Sequence, residues 1–410
     1  MAENHSYEDQ LQIPALSSFK EKVVEDISNI KLPVFNTNNR QILLLLSILF
    51  IGCQDLTTTN RVFDDPPIPT LTGDGLPVSS LAEQGIDPDQ IARFAWEIRN
   101  GDFDEIHSLV IIRNGYLVFE EYFEDGHDIN YLHRLASVTK SVISMIVGTA
   151  VKEGFITSHD QPLHELFPDE EDLFEDEPKK RKILLRHAMT MTDGLRWKEG
   201  IAGESGSDAY DMDHSSNSMR YILSRSIKNK PGEKFVYTSS PTLAAGAVRN
   251  ASGLDFEDYA DTYLFEKLGI QNYSWEHQSD GFVRADGGLH LTNHDMAKIG
   301  LFSLNNGVWN GEQILPENWV ELSTRKWIDT KVGHHYGFYW WLTPHAGIPG
   351  FLIDGEGNYF GSGYGGQKLF IIPDYNLVVA SYGSDYEIDT PEDSILPHFF
   401  LYYIIRAIRD

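Results

Sequence analysis

The chain of 410 residues has little of two things that many proteins depend on. It contains a single cysteine, Cys53, so an intramolecular disulfide bond is excluded. Basic side chains are scarce: 33 lysines and arginines stand against 61 aspartates and glutamates, a formal net charge of −28 at pH 7. We therefore predict no nucleic-acid partner and no attraction to anionic membrane surfaces, because like charges repel. The acidic surplus is attributed to solubility.

The apolar run at residues 42–52 is too short to span a bilayer comfortably, but it fits the hydrophobic segment of a signal peptide. The letters LFIGC at residues 49–53 resemble the lipobox of bacterial lipoproteins, in which the cysteine, here Cys53, is lipidated. Residues 54–69 are polar and contain prolines, as a tether would. Residues 1–52 carry four basic and six acidic side chains, however, whereas a signal peptide begins with a short positive region. A short buried helix therefore stays open as the alternative.

These features predict three segments. Residues 1–52 would be a leader with a lipoprotein-type signal segment, residues 53–85 a linker, and residues 86–410 the folded domain. We expect the protein to lie in a bacterial cell envelope, facing the periplasm or the exterior. It would contact the membrane only through a lipid at Cys53.

The folded part opens with a helix and a hairpin. Asp87 precedes an apolar-faced pattern that predicts a helix reaching about Arg99. Residues 107–123 form two strand-like runs around Asn114-Gly115, which is the strongest short signal for a β-hairpin.

The remaining pattern fixes the fold class. Charge runs at residues 169–182 predict a solvated loop. Residues 183–335 are mostly helical in pattern, strand-like runs return at residues 336–383, and residues 397–410 predict a terminal helix. This order predicts an α+β fold, in which an antiparallel sheet from both chain ends is flanked by helices and carries an inserted, mainly helical lobe.

The stretch at residues 136–154 opens with a serine and a lysine and is otherwise almost entirely apolar. Residues three apart on a helix share a face, so Lys140 can reach the Ser137 hydroxyl. A helix N-terminus favours an oxyanion, and a buried lysine near another cation can accept a proton, as an activated serine nucleophile requires. An N-cap serine with a lysine that reaches solvent stays open. The spacing alone is weak evidence, because it occurs at Ser17/Lys20, Ser28/Lys31, Ser137/Lys140 and Ser323/Lys326.

A second stretch, PGEKFVYTSS at residues 231–240, places Tyr237 and Ser239 after a turn and before a helix of small residues. A tyrosine held near a lysine ammonium can lose or share its proton more easily, so we expect the pKa of Tyr237 to be lowered. A core tyrosine with a satisfied hydroxyl is the alternative.

A third stretch contains Gly361, Gly363 and Gly366, which match G-x-G-x-x-G. A strand-like run follows it and not a helix, so we predict no dinucleotide site. Gly365 and Gly366 would instead let a substrate approach the strand backbone. An exposed N–H there could form half of an oxyanion hole, with the Ser137 N–H as the other half.

Together these motifs resemble the serine beta-lactamase and penicillin-binding-protein superfamily. The chain is most similar to its class C-like serine hydrolases, which include esterases and 6-aminohexanoate-oligomer hydrolases. SVTK at residues 137–140 is similar to the family's nucleophile motif, YTS at residues 237–239 to its Tyr-x-Asn/Ser motif, and YGG at residues 364–366 to its Lys/His-Thr/Gly-Gly motif. Two further stretches, residues 184–197 and 287–311, resemble non-catalytic landmarks of the family. The resemblance implies a beta-lactamase/transpeptidase-like fold.

The resemblance also implies roles. Ser137 would be the acyl-accepting nucleophile, and Lys140 and Tyr237 would share the work of a general base. Ser239 would hydrogen-bond Lys140 or the substrate, and the main-chain N–H groups of Ser137 and Gln367 would form the oxyanion hole. No metal and no other cofactor is implied, so the pair His334-His335 is interpreted as loop or surface.

One departure from the family bears on the substrate. Tyr364, Gly365 and Gly366 stand where beta-lactamases and transpeptidases have Lys-Thr-Gly, whose lysine and threonine help to hold a substrate carboxylate. We therefore expect the partner to be a small ester or amide that is neutral. An apolar group of it would contact aromatic side chains near the cleft, namely Tyr336, Phe338, Trp340, Trp341 and Tyr359.

Three functions follow from the sequence. The first is a serine hydrolase that cleaves a carboxylic ester or amide through an acyl-enzyme on Ser137. The second is a beta-lactamase or D,D-carboxypeptidase. The third is a catalytically silent binding or sensor lipoprotein of the same fold.

Overall fold

The structure is a computed structural model that describes residues 63–101, 103, 105–200, 205–330, 334–342, 357–384, 401 and 403–409. The predicted leader, the lipobox and Cys53 lie outside these residues, so the expectations for them stay predictions. Among the described helices, none has the length and apolar content needed to cross a membrane.

The largest element in the described part of the chain is an eight-stranded sheet with the order β2-β1-β13-β12-β11-β10-β9-β8. A three-stranded sheet with the order β3-β5-β4 and a β6-β7 hairpin accompany it. The strands are β1 Ile106–Arg113, β2 Tyr116–Tyr122, β3 His133–Arg134, β4 Tyr273–Trp275, β5 Leu289–Leu291, β6 Val308–Trp309, β7 Glu312–Gln313, β8 Ile328–Asp329, β9 His335–Tyr336, β10 Trp341–Leu342, β11 Tyr359–Gly363, β12 Gln367–Ile372 and β13 Leu377–Gly383.

Most helices lie between β2 and β8 in the chain. They are α1 Pro88–Arg99, α2 Thr139–Lys152, α3 Leu163–Leu166, α4 Glu171–Asp176, α5 Leu185–Met189, α6 Asp208–Asp213, α7 Ser218–Ser224, α8 Pro241–Ser252, α9 Phe256–Ala260, α10 Glu266–Leu268, α11 Asn293–Leu304 and α12 Trp319–Thr324. Short 3₁₀ segments cover Ala82–Gln84, Ala136–Val138, Pro168–Glu170, Pro178–Lys182 and Pro373–Tyr375, and the π-helical segment Asp261–Phe265 joins α9 to α10.

The architecture confirms the predicted α+β class. Strand β1, near the start of the domain, pairs antiparallel with both β2 and β13, so the sheet is built from both ends of the chain. The β1–β2 turn has Asn114 at φ 53° and Gly115 at φ 82°, as a two-residue hairpin turn requires. The Asp87 side chain accepts a hydrogen bond from Asp89 N and caps α1 as predicted.

Two predictions need correction, and one small sheet was not predicted. The charge runs at 169–182 are helical, and two of their side chains are buried: Glu170 is 7% and Lys180 is 3% exposed, since Lys180 can donate to the Leu223 carbonyl. His334 is only 4% exposed and packs its ring against Trp341 and Phe360, because it lies beside β9 in the sheet. The sheet β3-β5-β4 was not predicted, since its strands have only two or three residues.

The chain starts to pack before residue 86, where the sequence placed the start of the domain. Leu76 is 2% and Leu81 is 4% exposed, and Ser79 N donates to Leu117 O at the edge strand β2. Residues from about 76 onward therefore belong to the packed body.

A buried ionic cluster fixes the same segment to α11. The Asp74 carboxylate lies 3.0 Å from His294 Nε2 and 3.1 Å from Lys298 Nζ, and His294 Nδ1 lies 3.0 Å from Glu120 Oε1. Because it contacts two carboxylates, the pKa of His294 is raised to about 9 despite its burial. Breaking a buried pair leaves an uncompensated charge, so this cluster ties residue 74 firmly to the domain.

Three half-buried histidines form another cluster where the two sheets meet. The rings of His107, His127 and His133 lie 5.4 to 6.1 Å apart, and His133 stacks on Tyr382 at 4.4 Å. Burial lowers the pKa of all three imidazoles, that of His133 to about 4. The folded protein therefore holds them neutral at pH 7.

We predict a loss of stability in acid that comes from this cluster. The pKa of His133 falls from an ordinary 6.5 in the unfolded chain to about 4 in the fold, so the unfolded chain binds its proton first as the pH falls. Stability is complete above pH 6.5 and is lost toward pH 4. We expect the melting temperature of His133→Phe, which keeps a ring against Tyr382, to fall less steeply over this range than that of the wild type.

The control is His214→Phe, because His214 is an exposed histidine that also stacks on a tyrosine, Tyr210, at 4.0 Å. It should keep the wild-type slope. Equal slopes for His133→Phe and the wild type would contradict the assignment.

Candidate active site

Ser137 lies in a tight turn that runs into α2. The 3₁₀ segment Ala136–Val138 precedes Thr139, where the α-helix begins, and Ser137 makes no capping hydrogen bond. Ala136, directly before the serine, has φ 45°, which is a left-handed conformation that costs energy for a residue with a Cβ. Ser137 is half-buried, and Val138, not Ser137, holds the N-cap position of α2.

Lys140 is almost fully buried, at 4% exposure, in the first turn of α2. Its Nζ donates to Ser137 Oγ at 2.9 Å and to the carbonyl oxygen of Asp286. The predicted contact between serine and lysine is therefore present. The other described pair with this spacing is not joined, because Ser323 Oγ donates to Trp319 O while Lys326 pairs with Asp329.

Tyr237 joins the pair from the loop before α8. Its ring centroid lies 5.0 Å from Lys140 Nζ, and the ring is held by Phe235 and by Trp341, whose ring is nearly parallel to it at 6.1 Å. The preceding residue, Val236, donates its N–H to Met191 O, which ties the loop to the segment after α5. The buried Tyr237 hydroxyl has no hydrogen-bond partner among the described residues that satisfies normal geometry.

The expected lowering of the Tyr237 pKa is wrong. Burial raises the pKa of the phenol above its usual value, and the Lys140 cation and the neighbouring Ser137 only oppose this rise in part. The resting side chain is therefore the neutral phenol, and the nearby charge reduces the cost of its ionisation.

Ser239 bonds to a residue that sequence reasoning missed. Its Oγ donates to Asp286 Oδ2 at 2.6 Å and not to Lys140. Burial alone would raise the pKa of Asp286, but Lys140, the Ser239 hydroxyl and two arginines, Arg284 and Arg134, hold it below its usual range. Asp286 is thus ionised beside the lysine. Only its position directly before Gly287, where a stretch already singled out begins, could have marked it.

Glu199 is a second missed acid. The residue as a whole is exposed, but protein atoms surround its carboxyl group, and this desolvation raises its pKa to about 7. The Trp197 indole N–H donates to it, and it interacts electrostatically with Lys140, Asp286 and Tyr237. Sequence alone offers no signal for it, since it is one of 61 acidic residues.

The glycine-edged strand β11 lies directly against the serine turn. A Cβ at Gly363 would lie 2.4 Å from Leu135 O and 3.2 Å from Ala136 Cβ, and one at Gly361 would lie 3.1 Å from Val138 Cγ1. These two positions therefore need glycine so that the serine turn can pack against β11, a role that the sequence analysis did not assign to them. The predicted approach of a substrate to Gly365 and Gly366 stays a prediction.

The predicted oxyanion residue Gln367 begins β12, after the hairpin turn Tyr364-Gly365-Gly366, in which both glycines have φ 86°. Its side-chain amide donates to the carbonyls of Tyr364, Gly365 and Gly383, and its Oε1 accepts from Gly383 N. This bonding locks the end of the hairpin next to the serine turn. The catalytic use of the Gln367 N–H stays a prediction.

The aromatic side chains expected at the cleft are buried. None of the five is more than 4% exposed, and Tyr359 donates or accepts a hydrogen bond with Ser303 inside the domain. As described, they form core and support Tyr237 through Trp341. The described residues contain no group of three or more histidine, cysteine, aspartate or glutamate side chains arranged to hold a metal.

Chemically, the site combines an accessible hydroxyl, a buried cation in contact with it and a phenol beside both. Once this pair of cation and phenol has given up one proton, it can accept the proton of the hydroxyl, which then attacks an electrophilic carbon. The arrangement suits acyl transfer.

Comparisons with known proteins agree with this geometry. The family model described as Beta-lactamase matches residues 107–387. A 6-aminohexanoate-dimer hydrolase from Paenarthrobacter ureafaciens is 25% identical over 320 residues, which is 73% of this chain and 78% of that protein.

Solved structures share the fold. EstCE1, described as a hydrolase with promiscuous acyltransferase activity, matches with a TM-score of 0.64 at 14% identity, over 81% of this chain and 100% of that one. A penicillin-binding protein from Bacillus halodurans matches with a TM-score of 0.56 at 15% identity, over 75% of this chain and 99% of that one. The fold that the sequence resemblance implied is confirmed.

We predict that Gly363→Ala destabilises the serine turn, because its Cβ would meet the Leu135 carbonyl at 2.4 Å. Overpacking typically costs about 1–3 kcal/mol. Urea unfolding measures the change. The control is Gly287→Ala, because its backbone is not left-handed and its Cβ would make only ordinary contacts of 3.5 Å or more, so it should cost less than about 1 kcal/mol. A Gly363→Ala protein as stable as the wild type would show that the turn and strand do not meet so closely.

Proposed function

Since this chain belongs to the beta-lactamase family and is a hydrolase, we propose that it cleaves a carboxylic ester or amide through an acyl-enzyme on Ser137. The observation that supports this most directly is the 2.9 Å hydrogen bond between Lys140 Nζ and Ser137 Oγ, with the Tyr237 ring 5.0 Å from the same nitrogen. A buried amine that touches an accessible hydroxyl is the arrangement that an activated serine needs.

The reaction would proceed in two steps. The reactive form is the one in which the pair of Lys140 and Tyr237 has lost one proton to solvent. Ser137 Oγ then attacks the acyl carbon, and its proton passes to this pair. The bond to the leaving group breaks, and the pair returns that proton to the departing alcohol or amine. Water then gives a proton to the pair and attacks the acyl-enzyme, and Ser137 regains its proton as the acid leaves.

The main-chain N–H groups of Ser137 and Gln367 would stabilise the oxyanion in both steps. The close fit of Gly363 against Leu135 and Ala136 supports this assignment, because it brings the start of β12 next to the serine turn. The neutral phenol of Tyr237 suits it to donate a proton to the leaving group. The Lys140 cation makes it easier for the phenol to give that proton up.

The charges around the serine favour a neutral substrate. Two acidic groups, Asp286 and Glu199, interact with the single lysine, and the hydrogen bonds of that lysine go to Ser137 and to Asp286 O. A substrate carboxylate would lack the charge-assisted hydrogen bond that the family lysine supplies, which contributes roughly 1.5–3 kcal/mol. We therefore favour an ester or an amide over a beta-lactam or a D-Ala-D-Ala terminus.

We predict that Ser137→Ala abolishes hydrolysis of p-nitrophenyl esters and labelling by a fluorophosphonate, while the melting temperature stays nearly unchanged, because the Asp286 carbonyl oxygen still accepts a hydrogen bond from Lys140 Nζ. Ser323→Ala, at the other described Ser-x-x-Lys, should retain both activities. Turnover in Ser137→Ala would remove the nucleophile assignment.

Wild type and Ser137→Ala, tested side by side on a panel of esters, amides and nitrocefin, distinguish an esterase or amidase from a beta-lactamase and from a catalytically silent protein. Faster Ser137-dependent turnover of nitrocefin than of any ester or amide would favour a beta-lactamase. Failure of the wild type to react with the fluorophosphonate would favour a catalytically silent protein.

We predict that Tyr237→Phe slows ester hydrolysis by roughly two to four orders of magnitude, the usual loss when a general acid or base is removed. The ring packing against Trp341 is kept, so stability should change little. Tyr359→Phe removes a different buried tyrosine hydroxyl, which bonds to Ser303, and should retain the rate. A loss of less than tenfold in Tyr237→Phe would leave Lys140 as the sole base.

A further inference from the structure

The turn at residues 284–288 touches the catalytic pair at two points. The Asp286 carbonyl oxygen accepts from Lys140 Nζ, and its carboxylate accepts from Ser239 Oγ at 2.6 Å. One residue thus contacts the lysine through its main chain and the loop of Tyr237 through its side chain.

The turn is held rigidly in this position. Gly288 N donates to Arg284 O at 2.7 Å, and Gly287 O accepts from the Arg134 side chain at 3.0 Å. On its far side, Leu289 O accepts from Leu135 N, two residues before the serine. These bonds couple Asp286 to the serine turn, so a displacement of Asp286 would also displace that turn. Lys140 would move as well, because its Nζ is bound to the Asp286 carbonyl oxygen.

We infer that Asp286 is a positioning residue for the proposed reaction: its main-chain oxygen fixes Lys140 against Ser137, and its ionised carboxylate, held by Ser239, sets the pH range in which the pair exchanges its proton. The inference rests on the proposed function, since it assigns a role within that same site.

The charged groups that face Asp286 come from every neighbouring segment. Lys140 faces it from α2, Arg134 from β3 and Arg284 from its own turn, and Glu199 approaches from the loop after α5. The two arginines also pair with Glu276, at 3.0 and 3.6 Å. Lys140 is the cation that lowers the pKa of Asp286 most, and its direct contact with this residue is to the main-chain oxygen.

The proposed role predicts a direction. Removing the negative charge of Asp286 makes it easier for the catalytic pair, Lys140 and Tyr237, to lose a proton. We expect Asp286→Asn, which keeps the size and the main-chain carbonyl, to move the pH profile of kcat/KM for a p-nitrophenyl ester to lower pH by about one unit or more, the usual effect of a close opposite charge. Asp286→Glu, which restores the charge, should move the profile back toward the wild type.

Two comparisons make the test specific. Asp280→Asn removes an equal charge from the same segment, where Asp280 accepts from Ser218 N and Phe282 N, and should leave the profile in place. The pair of wild type and Asp286→Asn is repeated in a Glu199→Gln background, because Glu199 titrates near neutrality in the same enclosure. The shift should persist there.

The rate of fluorophosphonate labelling as a function of pH gives a second readout, because it reports the reactivity of Ser137 without turnover. A lower rate or melting temperature for Asp286→Asn with an unmoved profile would reduce Asp286 to a structural residue and overturn the inference. A shift to higher pH would overturn it as well. Should the wild type show no Ser137-dependent hydrolysis or labelling, the proposed function itself would fail, which is a distinguishable outcome.

Discussion

The contacts of the buried Lys140 amine are the constraint on which the site depends. The side chain is 4% exposed, and an unpaired ammonium in such a place would cost several kcal/mol. Two oxygens, Ser137 Oγ and Asp286 O, satisfy it. The same hydrogen bonds that make the burial tolerable also orient the lysine toward the hydroxyl, so stability and reactivity are served by one arrangement.

The second constraint is steric. The turn that holds Ser137 lies against Gly363, where a Cβ would be 2.4 Å from Leu135 O and could not fit unless the backbone moved. Ala136 itself adopts φ 45°. Such strain persists only where the surroundings over-determine it. The close packing of β11 against the serine turn holds Ala136 in this strained conformation.

The electrostatic setting follows from enclosure more than from the large net charge. Desolvation raises the pKa of Tyr237 and of Glu199, and the neighbouring carboxylates Asp286 and Asp208 raise that of Glu199 further. Asp286 keeps a lowered pKa because three cations, Lys140, Arg284 and Arg134, and the Ser239 hydroxyl oppose the effect of its burial. The same protein environment thus produces opposite shifts in neighbouring acids. The difference lies in the partners of each group, which cannot be deduced from composition.

The sequence alone determined the elements with strong local signals. Asn114-Gly115 specified its hairpin, Asp87 its helix cap, and the order of strands and helices the α+β class, because these depend on neighbouring residues. It also singled out Ser137, Lys140 and Tyr237, since the motif spacings are local.

Only the tertiary structure decided which side chains meet. In the structure, Asp286 and Glu199 lie near Lys140, and Ser239 donates its hydrogen bond to Asp286. Gly361 and Gly363 lie where a side chain would collide with the serine turn. It also placed the aromatic side chains from Tyr336 to Tyr359 in the core. Contacts between residues distant in the chain, and the pKa shifts that burial causes, depend on packing in three dimensions, and no local pattern in the chain encodes them.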